Sequence, residues 1–243
     1  MKKDKIYFAS DFHLGSPNLK DSHTRERKII SWLCTIEKDA KAIYLVGDIF
    51  DFWFEYKKVV PKGFVRFLGK LAEMCDKGIN INFIVGNHDM WVKDYFQKEI
   101  GLNVFEKEIL IEENNQKILV CHGDGLGSGN TSFKLIKKIF KSNICRWLFS
   151  RIHPNLGVSL AHLWSNASRR KNMKKTSNNH EHLINYCKKK QKNNPIDYYV
   201  FGHLHSPKEE NIDSKAKYIN TGDWIKHCSY GVLSNKNLEI KKF

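Results

Sequence analysis

Asp, Asn and His residues stand at the ends of five short apolar runs in this 243-residue chain. Ile6-Tyr7-Phe8-Ala9-Ser10 leads into Asp11-Phe12-His13, and Ile43-Tyr44-Leu45-Val46-Gly47 leads into Asp48. The run Ile81 to Gly86 leads into Asn87-His88-Asp89, Ile118 to Cys121 into His122, and Tyr198 to Gly202 into His203-Leu204-His205. These are hard-to-borderline donors, suited to manganese, iron or zinc. Seven of them, Asp11, His13, Asp48, Asn87, His122, His203 and His205, are too many for one ion. They suit two ions that share one carboxylate. Such a pair lowers the pKa of a bound water and neutralises phosphate oxygens during in-line attack.

To converge, the donors need strands that end on one edge of a sheet, where α/β proteins build their sites. The five runs have the length and the β-branched and aromatic content of buried strands. Helical spacing separates them: Glu26 to Glu37, with Ile29, Ile30, Trp32, Leu33 and Ile36, and Phe64 to Met74, with Phe67, Leu68 and Leu71. Asp94 to Ile100 predicts a short helix closed by Gly101. Val104–Ile111 and Lys117–Cys121 read as paired strands around the turn Glu113-Asn114-Asn115-Gln116. After His122-Gly123-Asp124-Gly125 the rhythm breaks, and residues 127–178 carry three apolar helical stripes among lysines and arginines. The stripes are Phe133/Ile136/Ile139/Phe140, Ile144/Trp147/Leu148 and Leu156/Leu160/Leu163/Trp164. This stretch reads as a helical cap inserted into a single domain of residues 1–243. A framework helix, His182 to Lys190, and closing strands from Tyr218 to Ile240 follow.

Composition narrows the partners. Hydrophobic residues make up 41% of the chain, which excludes disorder throughout. No apolar run approaches the roughly 20 residues of a membrane span, and the start, Met1-Lys2-Lys3-Asp4-Lys5, does not read as a signal peptide. None of the six cysteines forms a CxxC pair, so a cytosolic chain with reduced thiols is expected. The net charge is +15, and residues 131–192 hold fifteen Lys and Arg against the single acid Glu181. The rest of the chain is close to neutral. An excess so localised predicts an anionic partner: a phosphate-rich substrate, an acidic membrane surface or nucleic acid. A merely solvated face would mix its signs.

The donors resemble those of the calcineurin-like metallophosphoesterases, whose blocks run DxH, GDxxD, GNHD, an H-G step and GHxH. This chain has Asp11-Phe12-His13, Gly47-Asp48-Ile49-Phe50-Asp51, Gly86-Asn87-His88-Asp89, His122-Gly123 and Gly202-His203-Leu204-His205, in that order. The resemblance implies an α/β fold: a β-sandwich flanked by helices, four layers αββα. It implies two divalent ions, manganese by expectation, with zinc or iron as the other choices. One ion would take Asp11, His13, Asp48 and His205, the other Asp48, Asn87, His122 and His203. His88 would be a catalytic acid or a clamp on phosphate, and Asp89 would orient it. Asp51 reads as a possible brace for its loop. His153, His162, His180, His182 and His227 fall outside the blocks and read as structural or exposed.

Within the superfamily the chain is most similar to the lipid A pathway enzymes that hydrolyse UDP-2,3-diacylglucosamine. Asp11-Phe12-His13-Leu14-Gly15, Gly47-Asp48-Ile49-Phe50-Asp51-Phe52-Trp53 and His122-Gly123-Asp124, with Leu126, carry the likeness. So does the position of the inserted cap, where that family has its acyl-chain lid. The resemblance implies substrate contacts at Asn130, Trp147, Trp164, Ser168, Arg169, Asn172 and Lys175, an acylated nucleotide-sugar substrate, and peripheral association with an anionic inner-membrane surface. No protein partner is implied. One departure is His88, where well-known members of that pathway family carry Arg. Two rival readings remain open: a phosphodiesterase acting on nucleotides or nucleic acid, with stacking tryptophans on a basic groove, and a non-catalytic scaffold on this fold. Enclosed Trp147 and Trp164 rings would favour acyl chains. Exposed rings along a basic groove would favour nucleic acid.

Overall fold

All five runs are strands, and each stops one to three residues before its donor. In the computed structural model the described residues are 3–127, 131–174 and 180–243, with the side chains of 132, 133 and 166–174 outside the description. β1 (Lys5–Ala9), β2 (Ala40–Val46) and β3 (Asn80–Ile84) pair in parallel, and β4 (Asn103–Phe105) extends them. β10 (Ser229–Ser234) and β11 (Asn237–Lys242) add antiparallel on the other side of β1, giving the order β11-β10-β1-β2-β3-β4. The second sheet runs β5-β6-β7-β9-β8. Here β6 (Gln116–Cys121), β7 (Tyr198–Phe201) and β9 (Lys217–Asn220) are parallel, and β5 (Ile109–Glu113) and β8 (Lys208–Asn211) are antiparallel edges.

Alternation along the strands builds the layers. Ile6 and Phe8 of β1 join Val46, Ile84, Val120, Val200 and Ile219 in a core between the sheets. Tyr7 and Ala9 face the other way, into a core with Trp32, Leu33, Phe67 and Leu71 of α1 (Leu19–Ile36) and α2 (Val65–Asp76). On the far face of the second sheet, Tyr199, Phe201 and Tyr218 pack with Leu183, Ile184 and Cys187 of α6 (Glu181–Gln191). The result is the expected helix–sheet–sheet–helix sandwich. Two expectations shift. The run Val104–Ile111 is not one strand: it divides at Glu106 between β4 and β5, so the chain crosses from one sheet to the other there. The segment before Gly101 is a π-helical turn, Phe96–Ile100, which Gly101 closes in the left-handed conformation at φ 87°.

Three helices lie between β6 and α6: α3 (Thr131–Phe140), α4 (Asn143–Phe149) and α5 (Pro154–Lys174). A crossover between adjacent parallel strands needs only one helix, and α6 already supplies it. The intervening three are attached to the sandwich by specific contacts. Trp91 Nε1 donates to Phe140 O (2.7 Å), Arg146 donates to Met90 O (3.1 Å), and the Lys137 ammonium pairs with the Asp124 carboxylate. Phe149 packs on Phe52, Phe54 and Trp91.

Candidate metal centre

The C-terminal ends of β1, β2 and β3 open on one edge of the first sheet, and those of β6, β7 and β9 open on one edge of the second. Backbone bonds fasten the loops that follow. Asp11 N–H donates to Gly47 O, His13 N–H to Asp48 O (both 3.0 Å) and Gly202 N–H to His122 O (3.1 Å). Two bonds tie the sheets together at the site: Trp224 N–H to Asp11 O (3.2 Å) and His203 N–H to Asp11 Oδ2 (2.9 Å). Arg25 of α1 holds the His13 loop by donating to His13 O (2.7 Å) and to Ser16 O.

Asp11, His13, Asp48, His203 and His205 all have left-handed backbones, with φ of 43° to 68°. For a residue with a side chain this conformation costs about 1 kcal/mol or more, and it persists where the surroundings impose it, characteristically at functional sites. Gly47 and Gly86 serve the same convergence. A Cβ on Gly47 would overlap the His122 ring, and one on Gly86 would overlap the Asp48 carboxylate.

The expected donors gather in two groups, Asp11/His13/His205 and Asp48/His122/His203, with ligand atoms within 4.8 Å of one another in each, and His13, Asp51 and His88 form a third such group. His122 Nδ1–H donates to Val46 O (2.8 Å), which leaves a lone pair on Nε2, 3.2 Å from Asp48 Oδ2. Two acceptors at that distance repel unless a proton or cation lies between them. In the other group, His13 Nε2 and His205 Nε2 are 3.3 Å apart. The opposite ring nitrogens face carboxylates, Asp51 Oδ1 at 3.5 Å from His13 and Asp223 Oδ2 at 3.3 Å from His205. An Nδ1–H bond from His205 to Asp223 would turn its Nε2 lone pair inward, the usual arrangement behind metal-bound histidine, and a proton on the His13 Nδ1 that faces Asp51 would do the same. Two nitrogens each about 2.1 Å from one ion, at tetrahedral to octahedral angles, stand roughly 3.0–3.4 Å apart. Asp11 Oδ1, His13 Nδ1, Asn87 Oδ1 and His122 Nε2 are buried without a hydrogen-bond partner, His13 Nδ1 facing Asp51 at 3.5 Å without bonding it. Asp48 reaches both groups, its Oδ2 lying 3.8 Å from His13 Nε2 as well. The residues therefore fit a pair of cations.

Electrostatics agree. Burial disfavours a charged His13, but Asp11, Asp51 and Asp48 outweigh it and lift its pKa to about 9. Burial is likewise overcome at His122, which Asp48 and Asp11 hold well above the usual range. Burial opposes the Asp48 carboxylate, yet the His122, His88 and His13 rings hold it well below the usual range. The carboxylates that favour a charged ring at His13 and His122 would equally attract a cation. His203, pushed down to about 4 by burial and by His122, is neutral and ready to ligate.

Asp51 and Asp89 exchange the roles expected of them. Asp89 does not orient His88: its oxygens accept the N–H groups of Gly86 (2.6 Å) and Ile49 (2.8 Å), and it braces the loops after β2 and β3. His88 instead meets Asp51, donating from Nδ1 to Asp51 O (2.9 Å), while its own N–H binds Asp48 Oδ1 (2.8 Å). Burial holds His88 below the usual imidazole range. Two residues of α5 also reach Asp51. His162 Nδ1 is 3.3 Å from Oδ2, and Ser165 Oγ donates to Oδ1 at 3.1 Å. His162 therefore belongs to the surroundings of the site, contrary to the reading of it as structural or exposed. Asp223 was also missed, although Tyr218-Ile219-Asn220-Thr221-Gly222-Asp223 repeats the pattern of an apolar run ending in Gly-Asp.

Trp147 and Trp164 are not enclosed. They are 56% and 59% exposed. Arg151 stacks on the Trp147 ring at 4.9 Å, and Phe140 meets Trp164 at 5.6 Å. Asn130 and Lys175 lie outside the described residues. The side chains of Ser168, Arg169 and Asn172 lie outside them too, on the helical backbone of α5.

A family model described as calcineurin-like phosphoesterase matches residues 4–207. A UDP-2,3-diacylglucosamine hydrolase of Porphyromonas gingivalis is 39% identical over 255 aligned residues, covering 98% of this chain and 97% of that protein. A protein of the same name from Vibrio parahaemolyticus is 24% identical over 239 residues, covering 96% of each. The strand-end Asp and His groups and a match across most of the sequence lead to one assignment: this chain is a phosphoesterase and belongs to the calcineurin-like phosphoesterase family.

Proposed function

We propose that this protein is a two-metal hydrolase of UDP-2,3-diacylglucosamine, producing UMP and 2,3-diacylglucosamine 1-phosphate. The observation that carries the substrate is the 39% identity, over 98% of the chain, to a relative named for hydrolysing it. Asp11, His13, Asp48 and His205 would hold one ion, and Asp48, Asn87, His122 and His203 the other, with manganese the expected metal and zinc or iron the alternatives. When bound, the ions supply positive charge to the phosphate oxygens and lower the pKa of water. Asp48 holds the two groups in register. Asp51 and Asp223 fix the ring orientations of His13 and His205. With His88 Nδ1–H engaged by Asp51 O, Nε2 is the atom left to meet a phosphate oxygen or the leaving group, and it would do so as a donor in the doubly protonated ring that an anionic phosphate favours. Water attacks the phosphorus on the uridine side, the bond from that phosphorus to the bridging oxygen breaks, and the sugar phosphate departs.

Residues 127–178 are, on this reading, a lid for the acyl chains. Ile144, Trp147 and Leu148 of α4 and Leu156, Leu160, Leu163 and Trp164 of α5 are all exposed. Exposed tryptophans also suit the nucleic-acid reading. However, these rings sit at helical spacing with aliphatic side chains, which nucleic acid has nothing apolar enough to cover. Acyl chains, or the bilayer that supplies them, do cover such a face, at roughly 0.8 kcal/mol per CH₂ group. No described helix is long and apolar enough to cross a membrane. The proposed location is therefore peripheral, on the cytoplasmic side of an anionic inner membrane. Hydrolysis in heavy-oxygen water tests the reaction: label is expected in UMP. Label in the sugar phosphate would overturn the direction of attack, and absence of turnover with both metals bound would favour a scaffold.

A further inference from the structure

The Asp51 carboxylate is 2% exposed and lies among groups from three parts of the chain. His13 Nδ1 comes from the loop after β1, and His162 and Ser165 come from α5. His88, from the loop after β3, binds the Asp51 backbone oxygen, and Ser165 Oγ is also 3.4 Å from His88 Nδ1. A carboxylate taken out of water needs donors. Two of the groups around this one, His162 and Ser165, belong to the helix that the catalytic domain could lack without losing its β6–β7 crossover. α5 docks by an unusual face to make these contacts. Its apolar stripe points to solvent, while Gly157, Ala161, His162 and Ser165 turn toward the sandwich, Gly157 against Tyr56 and Phe149.

We propose that Ser165 and His162 are positioning residues that act through Asp51, so that docking of α5 sets the orientation of His88 and of the His13 ring. Ser165 engages both the Asp51 carboxylate and the ring nitrogen of His88. His162 holds the second carboxylate oxygen. A rotation of the Asp51 side chain would withdraw the carboxylate that faces His13 Nδ1 at 3.5 Å and tilt the loop whose carbonyl holds His88. The lid and the reaction centre are thereby coupled through one buried carboxylate, and a lid displaced from the sandwich leaves that carboxylate without Ser165 and His162, and His88 with only its bonds to Asp51 O and Asp48. This inference rests on the proposed role of His88 but not on the identity of the lipid substrate.

The test measures kcat, KM and metal content for Ser165→Ala, Ser165→Thr, His162→Phe, His88→Ala and the double variant Ser165→Ala/His88→Ala. Each is assayed on a small soluble phosphodiester and on the diacyl nucleotide sugar. Misplacement of a reacting group by about an ångström costs up to roughly 100-fold. Ser165→Ala is expected to lower kcat 10- to 100-fold on both substrates, with KM within about twofold and metal content unchanged. Ser165→Thr should recover most of the loss, and Ser165→Ala should cost much less in the His88→Ala background than alone, the remainder acting through His13. Unchanged kcat in Ser165→Ala beside an impaired His88→Ala would overturn the coupling alone. Multiplicative losses in the double variant would also overturn it. Full turnover in His88→Ala would remove His88 from the mechanism and the coupling with it.

Discussion

Asp48 stands within reach of both donor groups, so Asp48→Ala is expected to abolish turnover and to leave the protein folded. Removal of a shared carboxylate leaves two cations facing each other across an empty position. Metal analysis and circular dichroism check this, and a variant that binds two equivalents of metal with normal turnover would refute the shared ligand. His88 is a different case: its Nδ1 is spent on Asp51 O, although the ring also clusters with His13 and Asp51 as a third group of donors. His88→Ala should lower kcat by roughly 10²–10⁴-fold, the usual scale of a proton donor, with metal content near that of the parent. Loss of metal would make it a ligand. At this scale the sequence was most legible where a donor ends an apolar run, since strand and ligand then signal together. It was least legible among carboxylates that do not ligate. Asp51 and Asp89 follow their blocks at similar offsets, and only the fold reveals that Asp89 accepts two backbone N–H groups while Asp51 faces imidazoles. Asp223 could have been found, because its apolar run and Gly-Asp ending match those of β2.

The start of α1 was misread because a buried face made of polar residues has no hydrophobic period. α1 was expected from Glu26 but begins at Leu19, where Asn18 caps it by accepting the Asp21 N–H (3.0 Å). Its first two turns bury Ser22, Arg25 and Glu26, which bind Gly15 N–H, the His13 loop and Phe67 N–H. α5 inverts the usual pattern more fully, with its apolar stripe outward. Two predictions follow at this scale. If the stripe holds acyl chains, replacing Trp147, Leu160 and Trp164 by Ala should impair hydrolysis of the diacyl nucleotide sugar and spare a small soluble diester. Only the lipid draws on binding energy remote from the phosphorus. Equal loss on both substrates would make the stripe a fold-stabilising feature. The second concerns His180, which precedes α6 and lies against Tyr218 OH at 2.9 Å. Burial, with Lys208 and His182, pushes its pKa down to about 4. The unfolded chain then binds a proton that the folded one does not, so stability is full above about pH 6.5 and declines as pH falls toward 4. The loss is at most on the order of 3 kcal/mol. Thermal unfolding of His180→Gln should show a shallower acid slope than the parent between pH 6.5 and 4.5, and an identical slope would discount His180.

Across the whole molecule, charge and apolar exposure coincide in sequence. Residues 131–192 carry fifteen Lys and Arg against one acid, and among the described residues the same stretch holds ten large exposed apolar side chains, from Leu135 to Trp164. Each feature alone has an ordinary explanation. A basic face keeps a protein soluble, and an exposed stripe marks a docking site of unspecified kind. Together they suit an anionic bilayer, which offers phosphate to the first and hydrocarbon to the second. The metal centre depends on neither, since its donors come from the strand ends of the sandwich. The two parts should therefore separate in experiment. Replacing Arg169, Arg170, Lys171 and Lys174 by Gln should weaken cosedimentation with vesicles containing anionic lipid, most visibly at low salt, where screening is least. Each basic residue near such a surface contributes about 1 kcal/mol, so the four together should lower partitioning by roughly two to three powers of ten. Binding to uncharged vesicles should change little, and kcat on a small soluble diester should stay within about twofold of the parent, because the catalytic loops keep every donor. Unchanged partitioning onto anionic vesicles would show that the basic excess serves the substrate's own phosphates, and KM for the diacyl nucleotide sugar would then carry the whole effect.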